Sequence, residues 1–281
     1  LDRKVKVTNP AALGTFLRDQ GVMLRRTRAE VGRDLDPVTV VPHVVDADSR
    51  VIDEVAADAV ELAERILSRS GDRRELFRAA GDFDWKLRQA TGVAKAPHVA
   101  EFVRMLVETG EQVVLYGWHR EVYRLWLDKL DGCRPALYTG SESTAQKEAS
   151  KKRFLDGDAR VLVMSLRSGA GLDGLQDVAH VVVFGELDWS PEIHNQCIGR
   201  LRRDGQTESV VAYYLLADEG SDPVVAEVLQ LKRSQAEPIR DPSVAVTSQA
   251  VDVDRVRQLA ETFLRSRGKA LPSHVESESG S

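Results

Sequence analysis

Cysteine is nearly missing from this 281-residue chain: Cys133 and Cys197 are its whole complement. Two thiols cannot build the disulfide framework of a small secreted domain or a cysteine-rich zinc site. No apolar run is long enough to span a bilayer, and the first residues lack a signal-peptide pattern. A cytoplasmic setting without a membrane partner is therefore expected. An excess of positive charge is also lacking. The net charge is −5, so a nucleic-acid partner would have to be met by a local basic patch. The chain opens on Leu1 rather than Met, and is expected to be a piece of something longer.

What is present is a globular composition, 42% hydrophobic and 30% charged, with enough chain for one large domain or two small ones. Val38–Val45 reads as a strand, and Pro42 within it places that strand at a sheet edge. Ile52, Val55, Ala59, Leu62 and Ile66 recur at helical spacing. Residues 68–92 are charged and interrupted by glycine, and read as a connector with a short helix around Arg74–Ala80. A domain boundary is expected near Gly92. Lys95 stands just ahead of the next helix, where a lone lysine is expected to be solvated.

Beyond Gly92 the pattern alternates. Val99, Phe102, Val103, Leu106 and Val107 form a helical stripe closed by Gly110. Val122, Trp126 and Leu130 form another, and Thr144–Leu155 a third. Gln112–Tyr116, Pro135–Tyr138, Arg160–Met164, His180–Phe184 and Val210–Leu215 have strand length and composition. Apolar strands alternating with helices predict an α/β fold, a parallel sheet covered on both faces. Ligands of such sheets bind beyond the carboxyl ends of the strands. The loops after Tyr116, Tyr138, Met164 and Phe184 are therefore the candidate site.

Those loops carry unusual residues. Gly117-Trp-His-Arg120 offers Trp118 and His119, either as a packed tryptophan and a surface histidine or as nucleotide contacts. Gly140 and Ser141 form a turn with free amides, followed by a helix bearing Lys147, Lys151, Lys152 and Arg153. Ser165-Leu-Arg-Ser-Gly-Ala-Gly-Leu-Asp173 has Gly169 and Gly171, which let a backbone approach a ligand closely. Gly185-Glu-Leu-Asp-Trp-Ser-Pro191 places Trp189 either in the core or as a stacking residue. Last comes Gln196-Cys-Ile-Gly-Arg-Leu-Arg-Arg-Asp-Gly-Gln206. A helix starting at Ser190-Pro191 would carry Arg200 and Arg203 on one face. Arginine's planar fork of donors suits phosphate oxygens.

In order and spacing these segments resemble the motifs of the Swi/Snf-type ATPases of helicase superfamily two. Gln196–Gln206 is similar to the sixth motif, Ser165–Leu175 to the fifth, Gly117–Arg120 to the fourth, and Phe184–Pro191 to the family's Phe-Asp-x-x-Trp-Asn-Pro. Met23-Leu-Arg-Arg-Thr-Arg-Ala-Glu-Val31 looks like the segment leading from the first lobe to the second. The resemblance covers roughly Met23 to Leu231. It implies a RecA-like second helicase lobe at 93–237, preceded at 1–92 by the end of the first lobe and a helical linker. Residues 238–281 would add a helix, through Val253, Val256, Ala260 and Phe263, and a flexible tail.

The same resemblance implies roles. Arg200 and Arg203 would be arginine fingers, positioned by Gln196. Gly169, Gly171 and Asp173 would lie near the nucleotide. Gly140, Ser141, Lys147, Lys151, Ser165 and Trp189 would meet double-stranded DNA. The cofactor would be ATP with magnesium, bound mainly by a first lobe. No Gly-Lys-[Ser/Thr] occurs in the chain, and no Asp-Glu pair follows a strand as a magnesium site needs. No metal site is expected here, and the chain alone is expected to be inactive as an ATPase. Two rivals remain: an RNA helicase lobe of the same superfamily, and a non-catalytic α/β module binding nucleic acid or a protein.

Overall fold

Six apolar runs become strands in the computed structural model: β1 (Thr39–Val44), β2 (Val113–Gly117), β3 (Ala136–Tyr138), β4 (Val161–Ser165), β5 (Val181–Phe184) and β6 (Val211–Leu216). The structure describes residues 35–68, 72–168, 172–231 and 253–272, with Phe16 and Gln20. The Met23–Val31 segment, Gly169, Gly171 and most of the expected tail lie outside the described residues. The chain divides into two compact units at residue 35, and the unit from Asp36 onward holds all six strands.

All strand pairs are parallel, in the order β1-β6-β5-β2-β4-β3. Every residue of β2 and β5 is buried, the mark of strands covered on both faces. Alternation sorts their side chains. Val114, Tyr116, Val182 and Phe184 enter one core, while Val113, Leu115, Val181 and Val183 enter the other. β1 is an edge strand, as Pro42 suggests. Thr39 and Val45 donate their amides to Val210 and Leu216, so the two-residue repeat turns Pro42 toward the open edge, where no N–H is needed.

The helices are α1 (Ser49–Glu54), α2 (Ala56–Leu67), α3 (Arg73–Glu108), α4 (Arg120–Lys129), α5 (Thr144–Leu155), α6 (Pro191–Ile198), α7 (Asp222–Val228) and α8 (Val253–Ser266). The second half of α3 and α4 cover one sheet face through Val99, Ala100, Val103, Val122 and Trp126. Phe154, Cys197, Ile198, Val225 and Ala226 cover the other. A third cluster joins α1, α2, α8 and the first half of α3 through Ile52, Ile66, Phe83, Leu87, Leu259 and Phe263. The amphipathic run from Ile52 to Ile66 is two helices, parted at Val55.

Helix α3 corrects the reading of residues 68–92 as a connector. It runs unbroken for 36 residues, about 54 Å, through Gly81, Gly92 and Pro97. Asp72 caps it, accepting from the amides of Arg74 and Glu75 at 2.7 and 2.9 Å. Buried Ala79, Ala80, Phe83, Leu87, Ala90 and Ala94 give it an inward stripe through the supposed linker. Gly92 is no break either. A Cβ there would lie 2.6 Å from the Glu186 carboxylate, so glycine lets helix and loop touch.

Lys95 is the second correction. Rather than being solvated it is 1% exposed, its ammonium 2.5 Å from the Asp222 carboxylate and 2.6 Å from the Leu215 carbonyl. The same Asp222 oxygen accepts the Ala217 amide at 2.9 Å. Breaking a buried pair strands a charge and typically costs about 3–5 kcal/mol. Lys95→Met is expected to lose that much in urea unfolding, and Lys95→Met with Asp222→Leu to recover most of it.

His194 on α6 is buried against Phe184 and Tyr214, their ring centroids 4.7 and 5.3 Å away. One ring nitrogen meets the Ser190 carbonyl at 3.1 Å, and the other accepts the Asp188 amide at 3.4 Å, as a neutral ring can. Burial pulls its pKa from 6.5 down to about 4. The unfolded chain then takes the proton first as the pH falls. Stability from this group is full above about pH 6.5 and is lost toward about pH 4, by roughly 3 kcal/mol. Urea midpoints measured across that window should fall in the wild type and fall less in His194→Gln.

Candidate nucleotide and nucleic-acid interface

The parallel strands deliver four loops to one edge, and buried carboxylates tie three of them together. Glu186, after β5, is 4% exposed. Its carboxylate accepts the amides of Trp118 and His119 at 2.7 and 3.0 Å and pairs with His119 Nδ1 at 2.5 Å. The loops after β2 and β5 are thereby fixed to each other. His119, expected at the surface, is buried, and its Nε2 has no partner among the described residues. Asp188 is 1% exposed and receives Arg167 Nε and Nη2 at 3.1 and 2.9 Å. The Arg167 guanidinium lies 5.3 Å from the Trp118 ring, which joins the β4 loop to both others.

Sequence reasoning missed Glu186, Asp188 and Arg167. Their signal was present: two acidic residues directly after a buried apolar strand need partners.

The Gln196–Gln206 run departs from expectation in its backbone. Helix α6 ends at Ile198, capped at Gly199, so Arg200 and Arg203 do not lie on it. They sit in successive turns beyond it, with Arg200 N bonded to Cys197 O, Leu201 N to Ile198 O and Gln206 N to Arg203 O. Three-residue spacing still points both arginines one way in these tight turns. Arg200 donates to the Ser168 carbonyl, and Arg203 pairs with Asp173 and reaches the Gly199 carbonyl at 3.4 Å. Both guanidiniums thus converge on the Ser168–Asp173 loop. Arg202 turns elsewhere, to the Asp36 carbonyl at 2.8 Å. Gln196 is exposed, and among the described residues its side chain bonds to neither arginine. Gln206 buckles the run shut instead, donating to the carbonyls of Ala179 and Leu201 at 2.9 and 3.2 Å.

Beyond β3, Gly140 and Ser141 are exposed, and a Cβ on Gly140 would meet nothing within 4 Å. The turn is held by Glu142, which accepts the Thr139 amide at 2.5 Å and its hydroxyl at 2.9 Å. Ser143 and Gln146 then form a capping box for α5. Lys147 on its first turns stands 5.7 Å from the Tyr138 ring, and Lys151 is half-buried one turn on. Lys152 is paired with Asp156. Ser165 ends β4, half-buried one strand in from the β3 margin. Trp189 is held inward. Its indole N–H donates to Asp84 on α3 at 2.8 Å, and its ring packs against two core clusters, which favours the packing alternative.

Among the described residues no helix is long and apolar enough to cross a membrane, and no cluster of His, Cys, Asp or Glu could hold a metal ion.

Residues 95–205 match the family described as the helicase conserved C-terminal domain. The chain is 26% identical over 226 residues to the SWI/SNF-related matrix-associated actin-dependent regulator of chromatin subfamily A-like protein 1 of Xenopus tropicalis, covering 77% of this chain and 23% of that protein. It is 27% identical over 235 residues to the mouse DNA annealing helicase and endonuclease ZRANB3, covering 80% and 21%. A shorter match, 30% over 106 residues, covers 38% of this chain and 23% of the ATP-dependent RNA helicase DbpA of Escherichia coli K12. The chain therefore spans less than a third of the length of these relatives. In fold it is similar to the C-terminal part of the Fun30 ATPase domain, with a TM-score of 0.58 at 12% identity, covering 84% of this chain and all of that one. The Sulfolobus solfataricus SWI2/SNF2 ATPase core in complex with dsDNA also scores 0.58, at 18% identity, covering 81% and 51%. A parallel six-stranded sheet of this order, motif-bearing loops at its carboxyl edge and these matches agree: residues 95–205 match a helicase conserved C-terminal domain, and the chain is similar to the C-terminal RecA-like lobe of the Swi/Snf-type ATPases.

Proposed function

We propose that this lobe is half of an ATP-driven translocase that moves on double-stranded DNA, and that its share of the chemistry is two arginine fingers. The observation that carries this reading is the convergence of Arg200 and Arg203 on the Ser168–Asp173 loop, the fifth and sixth motifs meeting in space. ATP with magnesium, when bound, supplies the phosphoryl group to be transferred. The residues here fit only the phosphate side of such a ligand. Two guanidiniums are half-buried at an open edge, and Arg203 is paired with a carboxylate that is itself 76% exposed. A phosphate oxygen could replace that carboxylate at little cost, since exposed ion pairs contribute little. Asp173, the partner of Arg203, would then lie near the nucleotide. The phosphate loop and metal ligands come from a first lobe, the partner this half needs.

DNA contact falls to Gly140, Ser141, Ser165, Lys147 and Lys151 at the adjoining end of the edge. The name of the mouse relative supports DNA, and the double-stranded DNA held by the Sulfolobus structure supports a duplex. The match to DbpA favours the RNA rival. Comparing duplex DNA with RNA as stimulators of ATP turnover by the two-lobed protein decides between them.

Fingers act on charge in the transition state, so their loss lowers kcat far more than nucleotide affinity. In the complete two-lobed protein, Arg200→Ala and Arg203→Ala should each cut DNA-stimulated kcat by about 10³-fold or more, with melting curves unchanged. Arg202→Ala, whose side chain leaves the loop for Asp36, should be much milder. Normal turnover by the first two variants would overturn the finger assignment.

Binding of duplex by the chain itself should be indifferent to sequence, because phosphate contacts carry no base information. With about three phosphates neutralised, log K should fall against log salt with a slope of roughly −3. Reversing the charges of Lys147, Lys151 and Lys152 together should abolish it. Binding flat in salt, or untouched by that triple variant, would rule out the patch.

A further inference from the structure

Helix α3 leaves the sheet and carries two large aromatic side chains into solvent, the second of them beside the loop edge. Phe77 is 49% and Trp85 51% exposed. Four-residue steps put Phe77, Gly81 and Trp85 on one face. Gly81 is open, with nothing within 4 Å of a Cβ placed on it. The stripe therefore has two flat walls and a gap between them.

Trp85 is anchored to the site rather than stray. Its ring meets His119 edge to face, centroids 5.7 Å apart at 71°, and His119 is held by Glu186. Next to it Trp118 is half-buried beneath the Arg167 guanidinium. Arg167 remains 52% exposed although Asp188 fixes it, so it presents a positioned, outward-facing cation. Arg120, the first residue of α4, is exposed on the same loop. Glu121 on the first turn of α4 accepts a hydrogen bond from Gln89 at 3.0 Å, and Asp82 is exposed one turn before Trp85. Aromatic faces flanked by fixed cations are the chemistry that holds unpaired nucleotides: rings stack on bases while cations track the phosphates. A duplex hides its base faces and cannot use the aromatic half of this surface.

We infer that Trp85, with Phe77, Trp118, Arg167 and Arg120, forms a binding site for unpaired nucleotides of a single strand, separate from the duplex surface around Lys147.

The test uses the whole 281-residue chain with three probes: oligothymidylate, oligouridylate and a blunt duplex. Labelled-probe titrations give affinities, and tryptophan quenching reports stacking. A single strand should bind with quenching, Trp85→Leu should weaken that binding about ten-fold or more, and Trp85→Phe should restore most of it. Duplex affinity should be unchanged in both variants, whose melting curves should match the wild type. The tighter of the two single strands names the sugar the site accepts. Failure of either strand to bind, or wild-type affinity in Trp85→Leu, overturns the site. Equal losses for strand and duplex in Trp85→Leu also overturn it. Charge reversal at Lys147, Lys151 and Lys152 separates the two readings: it should remove duplex binding and spare the single strand. Loss of both would overturn the claim of a separate surface, while loss of neither would sink the duplex patch alone.

Discussion

The contact between the Lys95 ammonium and the Asp222 carboxylate holds this lobe together where apolar packing alone would be ambiguous. Ala94 belongs to the helical cluster around α8, Ala96 to the cluster under the sheet, and Lys95 stands between them. On the other partner's side, Val224 joins the helical cluster and Val225 the opposite sheet face. All three cores therefore meet at one ion pair. A greasy seam tolerates sliding by a fraction of a turn. An ammonium with a fixed carboxylate and a fixed carbonyl does not, and its desolvation makes any misfit costly. The pair sets how far α3 projects past the sheet, and so where Gly92, Arg88 and Asp84 reach the loop after β5.

Those reaches matter because the loop after β5 is held from two sides. Glu186 and Asp188 bind the loops after β2 and β4, while α3 grips the same stretch through the Arg88 bond to the Leu187 carbonyl at 2.6 Å and the Asp84 bond to Trp189. The loop is short and its polar groups are nearly all spoken for. Movement of one of these three edge loops must then be shared by the other two and by α3.

Much of this was legible in the sequence. Strand periods from Gln112 to Leu215 located the sheet to within a residue or two, and Pro42 disclosed an edge. The residues of the fifth and sixth motifs do meet. What failed had physical reasons. Gly92 and Pro97 look like punctuation, yet one is demanded by Glu186 across a gap of 94 residues in sequence, and the other is exposed on the helix, where a lost hydrogen bond is affordable. Lys95 could not be paired with Asp222 by any local rule. Gln196–Gln206 promised one long helix, but Gly199 sits at its cap and Gln206 folds the run back. The convergence of Arg200 and Arg203 survived that error because tight turns, like helices, bring residues three apart to one side.

Pro42 has a consequence beyond its own strand. The two open margins of a sheet are where foreign strands are most easily recruited, by main-chain pairing that ignores side-chain identity. At one margin here the outward row of amides is interrupted by an imino acid. At the other, β3 is three residues long and ends at Thr139, whose amide is already taken by Glu142. Neither margin offers an extended peptide a continuous ladder. This lobe is thus protected against indiscriminate strand addition at both margins of its sheet.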